Sequence, residues 1–147
     1  MRLWHIDLIH YLPRTQLLAQ WRELNSIFKK QDNHILINYI YKYKKQYLLD
    51  YTTIVLNEMH IREIKHHDNS FENFNNYFRG TTPSDSCLKF EEHNKEYLTM
   101  CYYNLKEKYI RGQKDFTTEI WNKLEEFYRK EIEQWLDKWK KVFTNMI

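Results

Sequence analysis

The chain has 147 residues, a formal net charge of +3 and an aromatic content of 17%. That length builds one compact domain with a substantial core and is too short for two ordinary ones. With only two Gly and two Pro, a turn-rich β-sandwich is disfavoured and an all-α fold is predicted; the near-balanced charge permits nucleic-acid contact without arguing for it.

The residues before Pro13 read as an irregular N-terminal segment. From Pro13 to Lys30, Leu17, Leu18, Trp21, Leu24, Ile27 and Phe28 recur at three- and four-residue steps, which predicts a helix with one apolar face and proline at its first position. Arg14, Gln16, Arg22 and Glu23 fall off the centre of that stripe, where they reach solvent or a partner. Gln31 to His34 is a polar break with Asp32 or Asn33 as a capping residue, and Ile35 to Tyr43 reads as a short helix or turn.

A second long helix is predicted from Gln46 to about Lys65, with Glu58 and Arg62 paired at i,i+4. His66 to Asn69 ends it, and Phe71, Phe74, Tyr77 and Phe78 trace a short helix closed by Gly80. Thr81 to Ser86 is a loop. A third long helix runs from about Phe90 to Tyr109. A fourth starts at Thr117, with Phe116 and Trp121 at the staple positions and a Trp-rich stripe running nearly to the end. The expected architecture is a compact bundle of three to four long helices with a short additional helix, in which Pro13–Lys30 packs between Gln46–Lys65 and Phe90–Tyr109.

Cys87 and Cys101 have neither metal-ligand spacing nor a disulfide framework, which favours a reduced, cytoplasmic protein. The first fifteen residues hold His5, Asp7 and Arg14 without an uninterrupted apolar run, so no signal peptide and no membrane span is expected. Lysines and arginines are spread evenly and form no basic tail; a phosphate-binding surface has to be assembled by folding. His60, His66 and His67 lack a companion carboxylate or cysteine at ligand spacing and read as loop residues, with no metal expected. Tyr39, Tyr41 and Tyr43, interleaved with Lys42, Lys44 and Lys45, have two readings: a base-stacking, phosphate-binding surface or a core edge beside hydrated lysines. Cys101 reads as a buried thiol.

Met1-Arg2-Leu3 together with Gln16-Leu-Leu-Ala-Gln-Trp-Arg-Glu-Leu24 resembles the N-terminal region of the pyrimidine-dimer DNA glycosylases of endonuclease V type, most closely over roughly the first thirty residues. The resemblance implies a DNA glycosylase with associated strand-cleaving lyase activity on damaged double-stranded DNA. It also implies that no metal or dissociable cofactor is used. In that family the nucleophile is the terminal α-amine, which forms a Schiff base with the opened sugar before β-elimination. An α-amine suits this role because its ordinary pKa, about 7.7–8.0, leaves far more neutral amine near pH 7 than a lysine near 10.4.

Glu23 matches the family's catalytic acid, and Arg22 an arginine of its DNA-contacting helix. Arg2 is too bulky for removal of the initiator methionine, so the Met1 amine takes the nucleophile's position and Arg2 that of a phosphate or transition-state partner, with Arg14 beside them on the DNA face. Gln16 stands where the family has a histidine and is placed with Arg2, Arg14 and Arg22 among the DNA-contacting residues, and the family's aromatic C-terminal tail is not evident. Two other readings stay open: a DNA-binding relative without catalysis, and a helical interaction protein whose contact face is the Trp121–Trp139 stripe. Strong salt dependence of DNA affinity separates the first two readings from the third.

Overall fold

A computed structural model describes residues 2–146. Five α-helices are found there: α1 (Arg14–Lys29), α2 (Lys45–Ile61), α3 (Asp68–Tyr77), α4 (Lys95–Ile110) and α5 (Thr118–Met146), with 3-10 helices at Ile6–Tyr11 and Asn38–Lys42. No strand occurs among the described residues. The all-α expectation holds.

The N-terminal segment is not irregular. It enters the core in extended form with Leu3, Trp4 and His5 buried, then turns into the first 3-10 helix, which buries Ile6, Leu8 and Ile9. The carbonyls at the end of that helix are met by one side chain: Arg62 donates to Leu12 O at 2.6 Å and to His10 O at 3.0 Å. Its Nε donates to Glu58 at 2.8 Å, so the expected i,i+4 pair holds the guanidinium in place for this capping role.

Pro13 is the N-cap of α1 and offers no side-chain acceptor. The Thr15 N–H is satisfied instead by Asp115, from the loop before α5, at 2.5 Å. The apolar stripe of α1 buries Leu17, Trp21, Leu24 and Ile27. Its partners differ from those expected, because α1 packs on α2 and α3 and not between α2 and α4. The inserted N-terminal segment fills the space a direct α1–α4 contact would need: Leu3 is fully buried, and its carbonyl accepts a hydrogen bond from Tyr97 of α4. On the other side, Phe28 of α1 sits among Phe74, Tyr77 and Phe78, and Trp21 Nε1 donates to Ser70 at 3.1 Å.

Three local features set the remaining boundaries. At the end of α2, Glu63 takes the left-handed conformation (φ 57°) and the Ile64 N–H reaches back to Met59 O at 2.9 Å, so the helix stops at Ile61 rather than Lys65. Asn94 caps α4 by accepting from Tyr97 N at 2.9 Å, which starts that helix after Phe90. Asp32 caps no helix; its carboxylate accepts from His34 N within its own loop. The pair α4–α5 closes through stacked rings, Tyr102 on Tyr128 at 3.8 Å and Tyr109 on Trp121 at 5.0 Å, and the expected staple is present with Phe116 5.9 Å from Trp121. Beyond it α5 leaves the core, and Leu136, Trp139, Val142, Phe143 and Met146 are exposed.

Candidate active site

A cleft of about 210 Å³ opens between α1 and α4, with the N-terminal segment as its third wall. Arg2, Gln16, Gln20, Glu23, Asn104 and Lys108 line it. Helical spacing explains the α1 set, since Gln16, Gln20 and Glu23 are three or four residues apart and share one face.

Glu23 is half-buried. Its Oε2 accepts from the Arg2 N–H at 3.3 Å and from Gln20 Nε2 at 3.4 Å. Burial pushes the Glu23 carboxyl above its ordinary pKa, and the Arg2 N–H and the charges of His34 and Arg2 only partly oppose that rise. The protonated acid is therefore more accessible near neutral pH than in a solvated glutamate. Arg2 contributes more than its amide, because its buried Nη1 has no hydrogen-bond partner among the described residues.

Gln20 fixes this geometry. Its Oε1 accepts from the Trp4 N–H at 2.7 Å, while its Nε2 donates to Arg2 O at 3.3 Å. The Trp4 amide is a donor only, so the orientation of the Gln20 amide follows from the network. Tyr51, fully buried on α2, directs its hydroxyl at Gln20 Oε1 (2.9 Å) and Trp4 O (2.7 Å). Gln20 of α1, Tyr51 of α2 and Tyr97 of α4, which donates to Leu3 O, thus hold the segment from Arg2 to Trp4 beside Glu23.

A second clasp lies further along the same segment. His93 Nδ1 accepts from the Ile6 N–H at 3.1 Å and its Nε2 lies 2.7 Å from the Tyr39 hydroxyl; His5 Nδ1 accepts from Asp7 N at 3.1 Å and its Nε2 faces His93 O at 2.9 Å. An imidazole that accepts at Nδ1 carries its proton at Nε2, so these bonds fix both rings as the neutral Nε2–H form. Burial lowers both pKa values, that of His93 to about 3.

Of the expected site residues, the structure brings Arg2, Gln16 and Glu23 together in the cleft. Arg14 and Arg22 are exposed on α1 outside it. At about 100° per residue, Arg14 faces away from Glu23 by roughly 180° and Arg22 by roughly 100°. The Met1 amine lies outside the described residues. Gln20, Tyr51 and Lys108 were not assigned to the site from sequence, and for Asn104 the sequence leaves a groove-facing and a core reading equally open; the structure puts it in the cleft. Gln20 did carry a signal, being a polar residue at a core position between Leu17 and Leu24 of an apolar stripe; Lys108 and Tyr51 carried none, because only the packing of α4 and α2 brings them here. Cys101 is a buried thiol as expected. Among the described residues no group of three or more His, Cys, Asp or Glu could hold a metal ion, and no helix is long and apolar enough to cross a membrane.

The span that builds the cleft's N-terminal wall, α1 and the Tyr51 support is also the span that a family model matches. Residues 1–72 match the family model described as pyrimidine dimer DNA glycosylase. This is the family that the N-terminal sequence resembles, and at family level the match supports a DNA repair glycosylase with DNA as substrate. No curated protein and no solved structure matches the chain. The glycosylase match takes in Arg2, Gln16, Gln20, Glu23 and Tyr51 and stops within α3, so Asn104 and Lys108 lie beyond it.

Proposed function

We propose that the chain is a DNA glycosylase with associated AP-lyase activity, working through a Schiff base on the Met1 α-amine with Glu23 as the proton-transferring group. The observation that carries this reading is the Glu23 carboxylate at 3.3 Å from the Arg2 amide nitrogen, in a cleft. Only three covalent bonds separate that nitrogen from the Met1 α-nitrogen.

The chemistry follows from these positions. The neutral amine attacks the sugar C1′ and the glycosidic bond breaks, the base leaving with the Glu23 proton; the attacking amine's proton then passes to O4′ as the C1′–O4′ bond opens to the iminium. Glu23, now a carboxylate, removes a C2′ proton. The C3′–O bond then breaks and the 3′ phosphate departs, which nicks the strand. A carboxyl with a raised pKa suits both roles, because it gives a proton early and takes one later. Arg2 lines the cleft beside Glu23, and Lys108 adds a second positive charge to it. Gln16 is held at 2.9 Å by Gln113 and presents a neutral wall. Arg14 and Arg22, outside the cleft, serve as contacts to flanking phosphates. The whole chain acts as one catalytic domain on this reading, since Asn104 and Lys108, beyond the matched span, complete the cleft.

Borohydride trapping on a duplex with an abasic site tests the proposal. The unmodified protein is expected to give a covalent adduct, and Glu23→Gln to lose turnover by at least about a hundredfold while retaining DNA affinity. Acetylating or extending the N-terminus is expected to remove the adduct without unfolding the protein. Full trapping by a protein with an intact N-terminal extension would exclude the terminal amine.

A further inference from the structure

At the far end of α1 a separate groove of about 340 Å³ is lined by Lys29, Lys30, Lys45, Tyr41 and Tyr77, among others, and by no carboxylate. None of these lysines forms an ion pair among the described residues. Lys45 is nevertheless held in place: its Nζ donates to Tyr77 O at 3.2 Å and lies 4.2 Å from the centre of the Tyr77 ring. Two of its N–H donors stay available. That ammonium covers the Tyr77 ring, and the Tyr41 hydroxyl is engaged with the Asp32 N–H at 2.8 Å, so the groove offers cations rather than bare rings for stacking. The nearby Asp32 carboxylate accepts from His34 N in its own loop.

The groove lies further along α1 than the cleft. Lys29, the last residue of the helix, follows Arg22 by seven residues, two helical turns on the same side, and Lys30 is the extended C-cap just beyond it. At 1.5 Å per residue that interval is about 10 Å along the axis, which matches roughly three nucleotides of one DNA strand at 3.4 Å each. We propose that this groove is a phosphate subsite for the DNA backbone about three nucleotides to one side of the reacting sugar, so that the duplex lies along α1 rather than toward α5. This rests on the DNA reading above and adds a direction to it.

The test measures affinity for a duplex carrying one tetrahydrofuran abasic analogue over a range of salt, for the unmodified protein, K29E/K30E/K45E and K138E/K140E/K141E. The first variant is expected to bind roughly a hundredfold more weakly near 0.15 M salt, with a salt slope shallower by about 2–3. The α5 variant is expected to match the unmodified protein. K29E/K30E, which leaves the Lys45 contact to α3 intact, gives the same readout with a smaller shift if the triple variant does not fold. Replacing single phosphates by methylphosphonates should weaken binding at a position about three nucleotides from the analogue, and this penalty should vanish in K29E/K30E. Unchanged affinity and slope in the groove variants, with the unmodified protein still trapped on DNA, would overturn the subsite and leave the glycosylase reading standing. A protein with no salt-dependent DNA binding would overturn both.

Discussion

Gln20 shows how one side chain connects core packing to a reactive group. It is buried, yet its amide satisfies Trp4 N and Arg2 O while touching Glu23. Gln20→Leu keeps the volume and removes these bonds, leaving two backbone groups unpaired at about 1–3 kcal/mol each. A stability loss of that order in urea, together with slower adduct formation, is expected. Tyr51→Phe removes only one hydroxyl, and about 1 kcal/mol is its expected cost. If Gln20→Leu slowed trapping without any change in stability, the amide would have a role other than holding the segment.

The two histidines at the second clasp make a prediction about pH. Both have folded pKa values below the unfolded 6.5, so the unfolded chain binds more protons whenever pH falls below about 6.5. Stability is therefore fully present above that value and declines as pH drops toward the folded value of His93, about 3. Each histidine contributes a slope of up to about 1.4 kcal/mol per pH unit. Urea midpoints measured from pH 7.5 to 4.5 should fall, and less steeply in His93→Gln. A flat profile would contradict the neutral pair.

At the scale of elements, the helix ends depend on residues distant in sequence. Asp115 supplies the acceptor α1 lacks, since Pro13 has none; Asp115→Ala is expected to cost about 1 kcal/mol, read as a lower melting temperature. Hydrogen bonds from Thr15 and Gln113 outweigh burial and hold the Asp115 carboxyl below its ordinary pKa, so this contribution is lost as pH falls below the unfolded value, near 4. Glu63 presents the opposite case, a β-carbon in the left-handed region at the end of α2. Glu63→Gly should raise stability by up to about 1 kcal/mol.

For the whole molecule, the insertion of residues 2–5 between α1 and α4 matters most, because it separates two helices that would otherwise pack and leaves the cleft between them. The far half of α5 takes no part in this. Its apolar residues from Leu136 onward are exposed, and deleting residues 136–147 is expected to change the urea unfolding midpoint little, because few buried contacts are lost.

The sequence by itself determined the helical class, the positions of the main helices and the place of Glu23, because hydrophobic periodicity and capping are local properties of the chain. The α1 motif also carried the resemblance that the match over residues 1–72 bears out. Only the tertiary structure decided that α1 packs on α3 and that Gln20, Tyr51 and Lys108 join the site. The Tyr51–Gln20 contact links residues 31 positions apart, and such pairings depend on how apolar faces bury one another and on which buried polar groups find partners. Neither condition leaves a periodic trace in the chain.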